Sequence, residues 1–398
     1  MLCDGSGAVV GGAGPLPLAL PWWQHVEDVV AAAADTGLDV TVLRLLGGEP
    51  TQGWTAAGGR VTYLAELHDG WVHEVPGWMP PQDGVDGPHP LRQTWAVPGG
   101  PATDLAWATS AVREAGHQLS GPPVQVRTWN LSSIWRLPLG DGQAWLKVVP
   151  PFFAHETAVL RWVGARPGLV PAVLAGEAGR VVLADVPGED QYGAGVDVAV
   201  EAARTLAELQ EDSAGDVDEL LGLGLTDWRL PAHRREIELS VERRAPALDA
   251  VERRALDALV AGLDDRASAL ADCGVPDSLL HGDFHDGNMK RDGAGPLVFL
   301  DWGDSGVGHP LLDVAVLRTG RTGDDRAVLQ ADVAATWRAL VPGCDPVRAL
   351  DLLGPLADLR AAVVFERFLA AIEPAERCYH VADPLDALRR AASAGAVD

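Results

Sequence analysis

The stretch Leu279–Trp302 reads LLHGDFHDGNMKRDGAGPLVFLDW. A polar loop rich in ionisable groups runs into a Gly-rich turn and then into the apolar strand Leu297–Leu300, which ends at Asp301. Asp283 and Asn288 stand five residues apart on the loop, and Asp301 closes the strand that follows. Phosphoryl transfer needs this set. One carboxylate takes the hydrogen bond or the proton of an attacking hydroxyl, while an amide oxygen and a second carboxylate hold Mg²⁺ against phosphates. Mg²⁺ favours hard oxygen ligands and usually takes only one or two carboxylates from a protein. Two other readings compete: a turn held by local Asx hydrogen bonds, and a metal hydrolase using His281 and His285 with Asp ligands. The hydrolase reading gives Asn288 no task, and the turn reading is weighed against an independent Lys and Glu upstream.

Working outward, the next signal is a lysine. Of 31 basic residues, 29 are arginine and two are lysine, Lys147 and Lys290. Lys is a compact point charge where Arg is a planar fork, so its rare use here directs attention to both positions. Lys147 sits within the apolar run Trp145–Val149, where an ammonium is costly unless it finds a partner. The helix expected over Phe152–Val163 supplies one. Glu156 shares a face with Leu160 and Val163 and points towards the sheet. A Lys held by a Glu and presented to α- and β-phosphates is the other half of a phosphoryl-transfer site. Lys290, just past the loop, reads as solvated.

The pattern around these motifs suggests an α+β protein. Val124–Trp129, Ile134–Leu139 and Ala144–Val149 are three short strands, the last two joined by the hairpin turn Gly140–Gly142. Strands return at Val170–Leu174 and Arg180–Val186, and Pro187-Gly188 breaks the chain. Beyond Val196 the pattern is helical over Val196–Glu211, Ala232–Cys273, Ala327–Leu340 and Pro346–Ile372. Ahead of all this, residues 1–100 read as a small α/β domain, with a helix at Val26–Ala34, strands at Val40–Leu46 and Val61–Leu67, and a Gly-rich turn between the strands. The strands resemble those of a Nudix-like fold but lack the glutamate-rich catalytic box, which leaves packing or a substrate lid as the role. A Pro/Gly-dense boundary covers Pro76–Pro101, and residues 101–120 form a linker helix.

With these residues in view, the chain resembles the aminoglycoside phosphotransferase family, whose protein-kinase-like fold is shared with choline kinases and related small-molecule kinases. The resemblance rests on His281-Gly282-Asp283-x-His285-x-x-Asn288 and Leu300-Asp301-Trp302, supported by Lys147, Glu156 and Gly308–Asp313. It implies a small antiparallel-sheet lobe over 121–186 and a helical lobe with a substrate-binding insert over 187–398. It also implies Asp283 as catalytic base, Asn288 and Asp301 as magnesium ligands, and Lys147, oriented by Glu156, on the phosphates. Asp185 and Val186, in the hinge, would receive the base of ATP or GTP. The loop Asn130–Ser133 departs from the protein-kinase pattern in having no glycine; backbone N–H groups with the Ser132 and Ser133 hydroxyls would cover phosphates instead. Eleven residues separate Asp301 from Asp313, too few for a peptide-docking segment, so the acceptor is a small hydroxyl-bearing molecule. Antibiotic inactivation, as in resistance, and phosphorylation of an amino sugar or other metabolite both fit. So, from another class, does a nucleotide-binding pseudokinase serving as sensor or scaffold, although Lys147, Asp283, Asn288 and Asp301 are all present.

A formal charge of -25 disfavours nucleic acid and anionic membranes as main partners; it would suit a cationic acceptor, and equally an acidic surface that only keeps the protein soluble. Asp304 and Glu366 are the carboxylates considered for that contact, each weighed against an ordinary solvated charge. Asp313 reads as a brace for the catalytic loop. No apolar run reaches 18 residues, and the apolar start Met1–Trp23 lacks a basic region, so the expected location is the cytoplasm. Cys3, Cys273, Cys344 and Cys378 lie too far apart in sequence to suggest a zinc site or disulfide framework.

Overall fold

A computed structural model describes residues 1–395 except 20–21, 52–57, 69–76, 82–86 and 319. Parts of two expected segments, the Gly-rich turn before Val61 and the boundary Pro76–Pro101, lie outside the described residues. The chain divides into two compact units: Met1–Thr157, Ala172–Asp185 and Leu369–Val381 form the first, and Ala158–Pro171, Val186–Phe368 and Ala382–Asp398 the second. One boundary falls between Asp185 and Val186, within the expected hinge.

The first unit holds two sheets. Strands β1 (Leu2–Cys3), β2 (Val9–Gly11), β3 (Val40–Pro50) and β4 (Gly59–Leu67) are ordered β2-β1-β4-β3, with α1 (Glu27–Asp35) before β3. After α2 (Gly100–Glu114) come β5 (Val124–Trp129), β6 (Ser132–Leu139), β7 (Gly142–Val148), α3 (Glu156–Gly164), β8 (Val173–Glu177) and β9 (Arg180–Ala184). These five strands form an antiparallel sheet in the order β5-β6-β7-β9-β8. Alternation of buried and half-buried residues along β6 and β7 puts Trp135, Leu137, Ala144, Leu146 and Val148 on one face. There they pack with Ala108, Ala111 and Val112 of α2. Within the expected linker, α2 (Gly100–Glu114) is therefore part of the core of this unit. The two sheets are stitched together by Gln125, whose side chain accepts from the Val42 amide (2.9 Å) and donates to the Val42 carbonyl (2.7 Å).

Residues 369–381, remote in sequence, complete the first unit. Glu373 receives Arg92 through Nε and Nη2 (2.8 Å at the shortest), with Arg44 Nε 3.9 Å away. Tyr379 meets Trp23 and Trp129 edge-on, at 6.0 and 5.7 Å. Glu376 is buried, accepts from the Leu45 amide, and offers its main-chain carbonyl to Asn130 Nδ2. Burial, with Glu373 nearby, pushes the Glu376 carboxyl from 4.5 up to about 8, against the opposing pull of the Leu45 amide, Arg44 and Arg92. The folded state thus binds this proton more tightly than the unfolded state does, so stability falls as pH rises from about 4.5 to about 8. Glu376→Gln, a neutral mimic, is expected to match wild type in melting temperature near pH 5 and to exceed it progressively towards pH 8.5. A constant difference across that range would contradict this assignment.

The second unit is mainly helical: α4 (Val196–Ser213), α5 (Val217–Gly222), α6 (Leu230–Arg244), α7 (Ala250–Ala261), α8 (Leu263–Asp272), α9 (Leu311–Leu317), α10 (Gly323–Leu340), α11 (Pro346–Ala371) and α12 (Asp383–Gly395). The helical run expected over Ala232–Cys273 is three helices. Pro246 sits in a short turn that ends the first, Asp249 with Glu252 forms a capping box that opens the second, and Gly262 separates the second from the third. Small strands frame the catalytic motif: β10 (Glu189–Asp190), β13 (Met289–Arg291) and β14 (Val298–Phe299) in one sheet, and β11 (Thr226–Asp227), β15 (Gly306–Gly308) and β12 (Ser278–Leu280) in another. All four cysteines are free thiols. Among the described residues, no helix is long and apolar enough to cross a membrane.

Candidate active site

The motif loop leaves β12 at Leu280 and is held by a buried carboxylate. Asp313, on α9, accepts from the His281 amide (2.8 Å), the Gly282 amide (2.8 Å) and Gln210 Nε2 (2.9 Å). Burial pushes this carboxyl up to about 6, against the two amides that favour its anion. His281 is fully buried and its pKa is driven down to about 4, so the ring is neutral. Its Nε2–H donates to the Leu300 carbonyl at 2.9 Å, and the ring packs on Phe284 and Trp302. It is a fixed spacer between loop and strand.

Asp283 is half-exposed. Asn288 Nδ2 donates both to Asp283 Oδ2 (3.0 Å) and to the Asp283 carbonyl (2.9 Å). Because both partners are acceptors, the amide orientation is fixed, and Asn288 Oδ1 is left as the atom for a cation. His285 Nδ1 accepts from the Gly287 amide (3.0 Å), which places the ring proton on Nε2, 3.4 Å from Asp283 Oδ2. The Asp283 carboxylate raises the His285 pKa above its ordinary value. The Leu300 amide donates to the Asn288 carbonyl at 2.8 Å, which couples the loop to the segment that runs from β14 into Asp301. Asp301 itself is exposed and has φ of +60°, the one non-glycine with positive φ among the described residues. Asp tolerates that conformation better than most residues, yet it still costs of order 1 kcal/mol, and such strain gathers at functional positions.

In the first unit, Lys147 on β7 and Glu156 at the start of α3 meet at 2.5 Å, Nζ to Oε1, with side chains 12% and 3% exposed. Removing one member of so buried a pair strands a charge. Glu156→Gln is expected to raise the nucleotide KM roughly tenfold, about 1.4 kcal/mol of lost positioning, with a smaller change in kcat. A KM within twofold of wild type would show that Lys147 needs no orientation.

Other expected site residues are placed as follows. The Ser132 hydroxyl accepts from Trp129 Nε1 (2.9 Å) and that of Ser133 from Trp135 Nε1 (3.1 Å), and both residues are buried. Asp185 Oδ1 accepts from Trp145 Nε1 (2.6 Å), and the Val186 carbonyl receives Lys290 Nζ (2.6 Å). Lys290 is therefore tied to the chain and not merely solvated. Both Glu366 oxygens are engaged, by Arg243 and by Arg244. Asp304 is half-exposed, and its main chain abuts Gly282, where an added Cβ would lie 2.0 Å from the Asp304 carbonyl oxygen. Gln210, Arg321 (whose Nη2 lies 2.7 Å from both Asp286 carboxylate oxygens) and Arg360 (3.1 Å from the Gly282 carbonyl) complete the loop's support. They belong to no motif, and their distance in sequence left no signal by which to find them.

Among the described residues, no group of three or more His, Cys, Asp or Glu gathers as a preformed metal site. One amide oxygen and one carboxylate do fit Mg²⁺, which retains waters and takes its remaining oxygens from phosphates. The donor set suits a metal that arrives with a nucleotide.

Comparisons with known proteins agree with this architecture. A macrolide 2'-phosphotransferase from Brachybacterium faecium aligns with a TM-score of 0.51 and 17% identity, covering 71% of this chain and 97% of that one. A choline kinase from Streptococcus pneumoniae gives 0.53 and 15%, covering 74% and 99%. A putative aminoglycoside phosphotransferase from Ralstonia eutropha gives 0.50 and 16%, covering 74% and 98%. At these identities the likeness establishes the protein-kinase-like fold. No curated protein matches the sequence. Residues 125–350, more than half of the chain and inclusive of Lys147, Glu156 and the whole catalytic motif, match the phosphotransferase enzyme family, and the chain belongs to that family.

Proposed function

We propose that the protein transfers the γ-phosphoryl group of ATP, or GTP, to a hydroxyl of a small polar molecule, with Asp283 as base. The observation that carries this reading is the Asp283–Asn288 pair. The amide nitrogen orients the carboxylate and thereby leaves the amide oxygen for a metal, while Asp301, one hydrogen-bonded strand away, is held in a strained conformation. Asp283 accepts the acceptor's hydroxyl hydrogen, and that oxygen attacks the γ-phosphorus. The bond to the bridging oxygen of the leaving diphosphate breaks, and the proton passes to the Asp283 carboxylate. Asn288 and Asp301 would hold Mg²⁺, which supplies charge neutralisation on the phosphates when bound. Lys147, steered by Glu156, holds the α- and β-phosphates, and the Asp185–Val186 segment meets the nucleotide base. Asp304 is the acidic residue offered to a cationic acceptor. Glu366 would meet one only after releasing Arg243 and Arg244.

Macrolides, aminoglycosides, amino sugars and choline-like alcohols form the acceptor panel. Nucleotide consumption with Mg²⁺ is measured against each, with phosphorus NMR on any hit. An acceptor-dependent phosphate ester supports the reading. Nucleotide binding without turnover across the panel would replace it with a sensor or scaffold role.

A further inference from the structure

Arg360, on α11, is 7% exposed and lies among groups that carry the chemistry. Its Nη1 donates to the Gly282 carbonyl (3.1 Å) and its Nη2 to the Asp304 carbonyl (3.5 Å). Gly282 immediately precedes Asp283, and Asp304 lies three residues beyond Asp301. The two backbones are already in close approach. Gly282 has φ of +89°, and a Cβ there would strike the Asp304 carbonyl oxygen at 2.0 Å. The guanidinium carbon stands 4.5 Å from the centre of the Trp228 ring, a residue whose amide donates to Val307 of β15 at 2.7 Å. Its Nε has no hydrogen-bond partner among the described residues.

A buried guanidinium loses several kcal/mol of hydration, and an apolar side chain of similar volume would fill the space at no such cost. The charge is attracted by the carboxylates of Asp304, Asp313 and Asp283, and its two Nη groups reach main-chain carbonyls that belong to the two functional segments of this unit. We propose that Arg360 is a positioning residue for phosphoryl transfer, bridging the base-bearing loop to the segment after Asp301 and so setting the spacing between Asp283 and Asp301. The inference rests on the catalytic reading given above. It requires a fork: a lysine ammonium is a single point and cannot serve both carbonyls in the same geometry.

The surroundings make a rescue experiment feasible. Arg360 lines a cavity of about 850 Å³ together with Trp228, His309, Leu312, Leu353 and Leu356. Truncation to alanine opens further space beside it, enough for exogenous methylguanidinium. With an acceptor in hand, Arg360→Ala is expected to lower kcat roughly 10²-fold, the cost of a displacement near 1 Å at a reacting centre, while the nucleotide KM stays within about threefold. Millimolar methylguanidinium should restore a substantial part of kcat in the alanine variant and do nothing to wild type. Retained kcat in a folded Arg360→Ala protein, or a loss that methylguanidinium leaves untouched, would overturn the assignment. Arg360→Lys, which keeps charge and bulk, covers the case in which alanine fails to fold. Hydrogen exchange of this lysine variant is read without any acceptor. Exchange of the His281 and Gly282 amides should quicken while that of the β10-β13-β14 sheet does not change. Uniform quickening, or none, would count against positioning even if no acceptor is ever turned over, so this readout fails independently of the catalytic reading.

Discussion

Asp283→Ala is expected to lower kcat by about 10³-fold, in the middle of the range that a positioned general base contributes, while nucleotide affinity changes little. The split follows from the contacts. The carboxylate faces Asn288 and His285, whereas Lys147 is paired with Glu156. The substitution also deprives Asn288 Nδ2 of one of its two acceptors, but the Asp283 carbonyl remains at 2.9 Å and preserves the amide's orientation. Metal-dependent nucleotide binding should therefore survive, measured by calorimetry with a non-hydrolysable triphosphate. Turnover within tenfold of wild type would remove Asp283 from the role of base. Loss of nucleotide binding would show instead that the carboxylate belongs to the metal site.

Asp301→Asn should abolish magnesium-dependent nucleotide binding at ordinary Mg²⁺ concentrations. Asparagine is the informative replacement because it tolerates a positive φ about as well as aspartate does. The backbone at +60° is then retained, and only the anionic ligand is lost. Charge stabilisation by a bound metal is worth several kcal/mol, so kcat/KM is expected to fall by about 10²- to 10³-fold at 1.36 kcal/mol per decade. Melting temperature without nucleotide should hold or rise slightly, since an exposed carboxylate in a strained turn adds little to stability. Undiminished binding of the nucleotide with Mg²⁺ would exclude Asp301 as a ligand. A large drop in melting temperature would mean that its carboxylate is structural.

Much of the site was written locally. Val124–Trp129, the hairpin turn at Gly140–Gly142 and the Lys147–Glu156 pair each depend on residues within about a dozen positions of one another, where alternation, turn chemistry and helical phase act directly. The motif loop was legible for the same reason: its residues stand at fixed spacing, and Asp283 and Asn288 meet within one turn of chain. The α1 helix and the β3 and β4 strands were likewise visible as short periodic runs. Breaks in long helical runs were less so. The stretch from α6 to α8 keeps helical composition throughout, and its division depends on one proline turn, one capping box and Gly262.

What tertiary structure alone decided is which distant groups meet. Asp313 closes on the His281 and Gly282 amides from more than 30 residues away, and Arg360 reaches the Gly282 carbonyl across 78. Residues 369–381, helical-lobe sequence by position, complete the first unit, where Glu376 receives Asn130 across 246 residues. Lys290 was read as solvated because nothing near it in sequence could have shown the Val186 carbonyl. Local sequence fixes conformations whose energy is settled within a turn or a strand. Long-range partners are chosen by the packing of the whole chain, where a buried carboxylate or guanidinium keeps its place only because unpaired main-chain groups from elsewhere come to meet it.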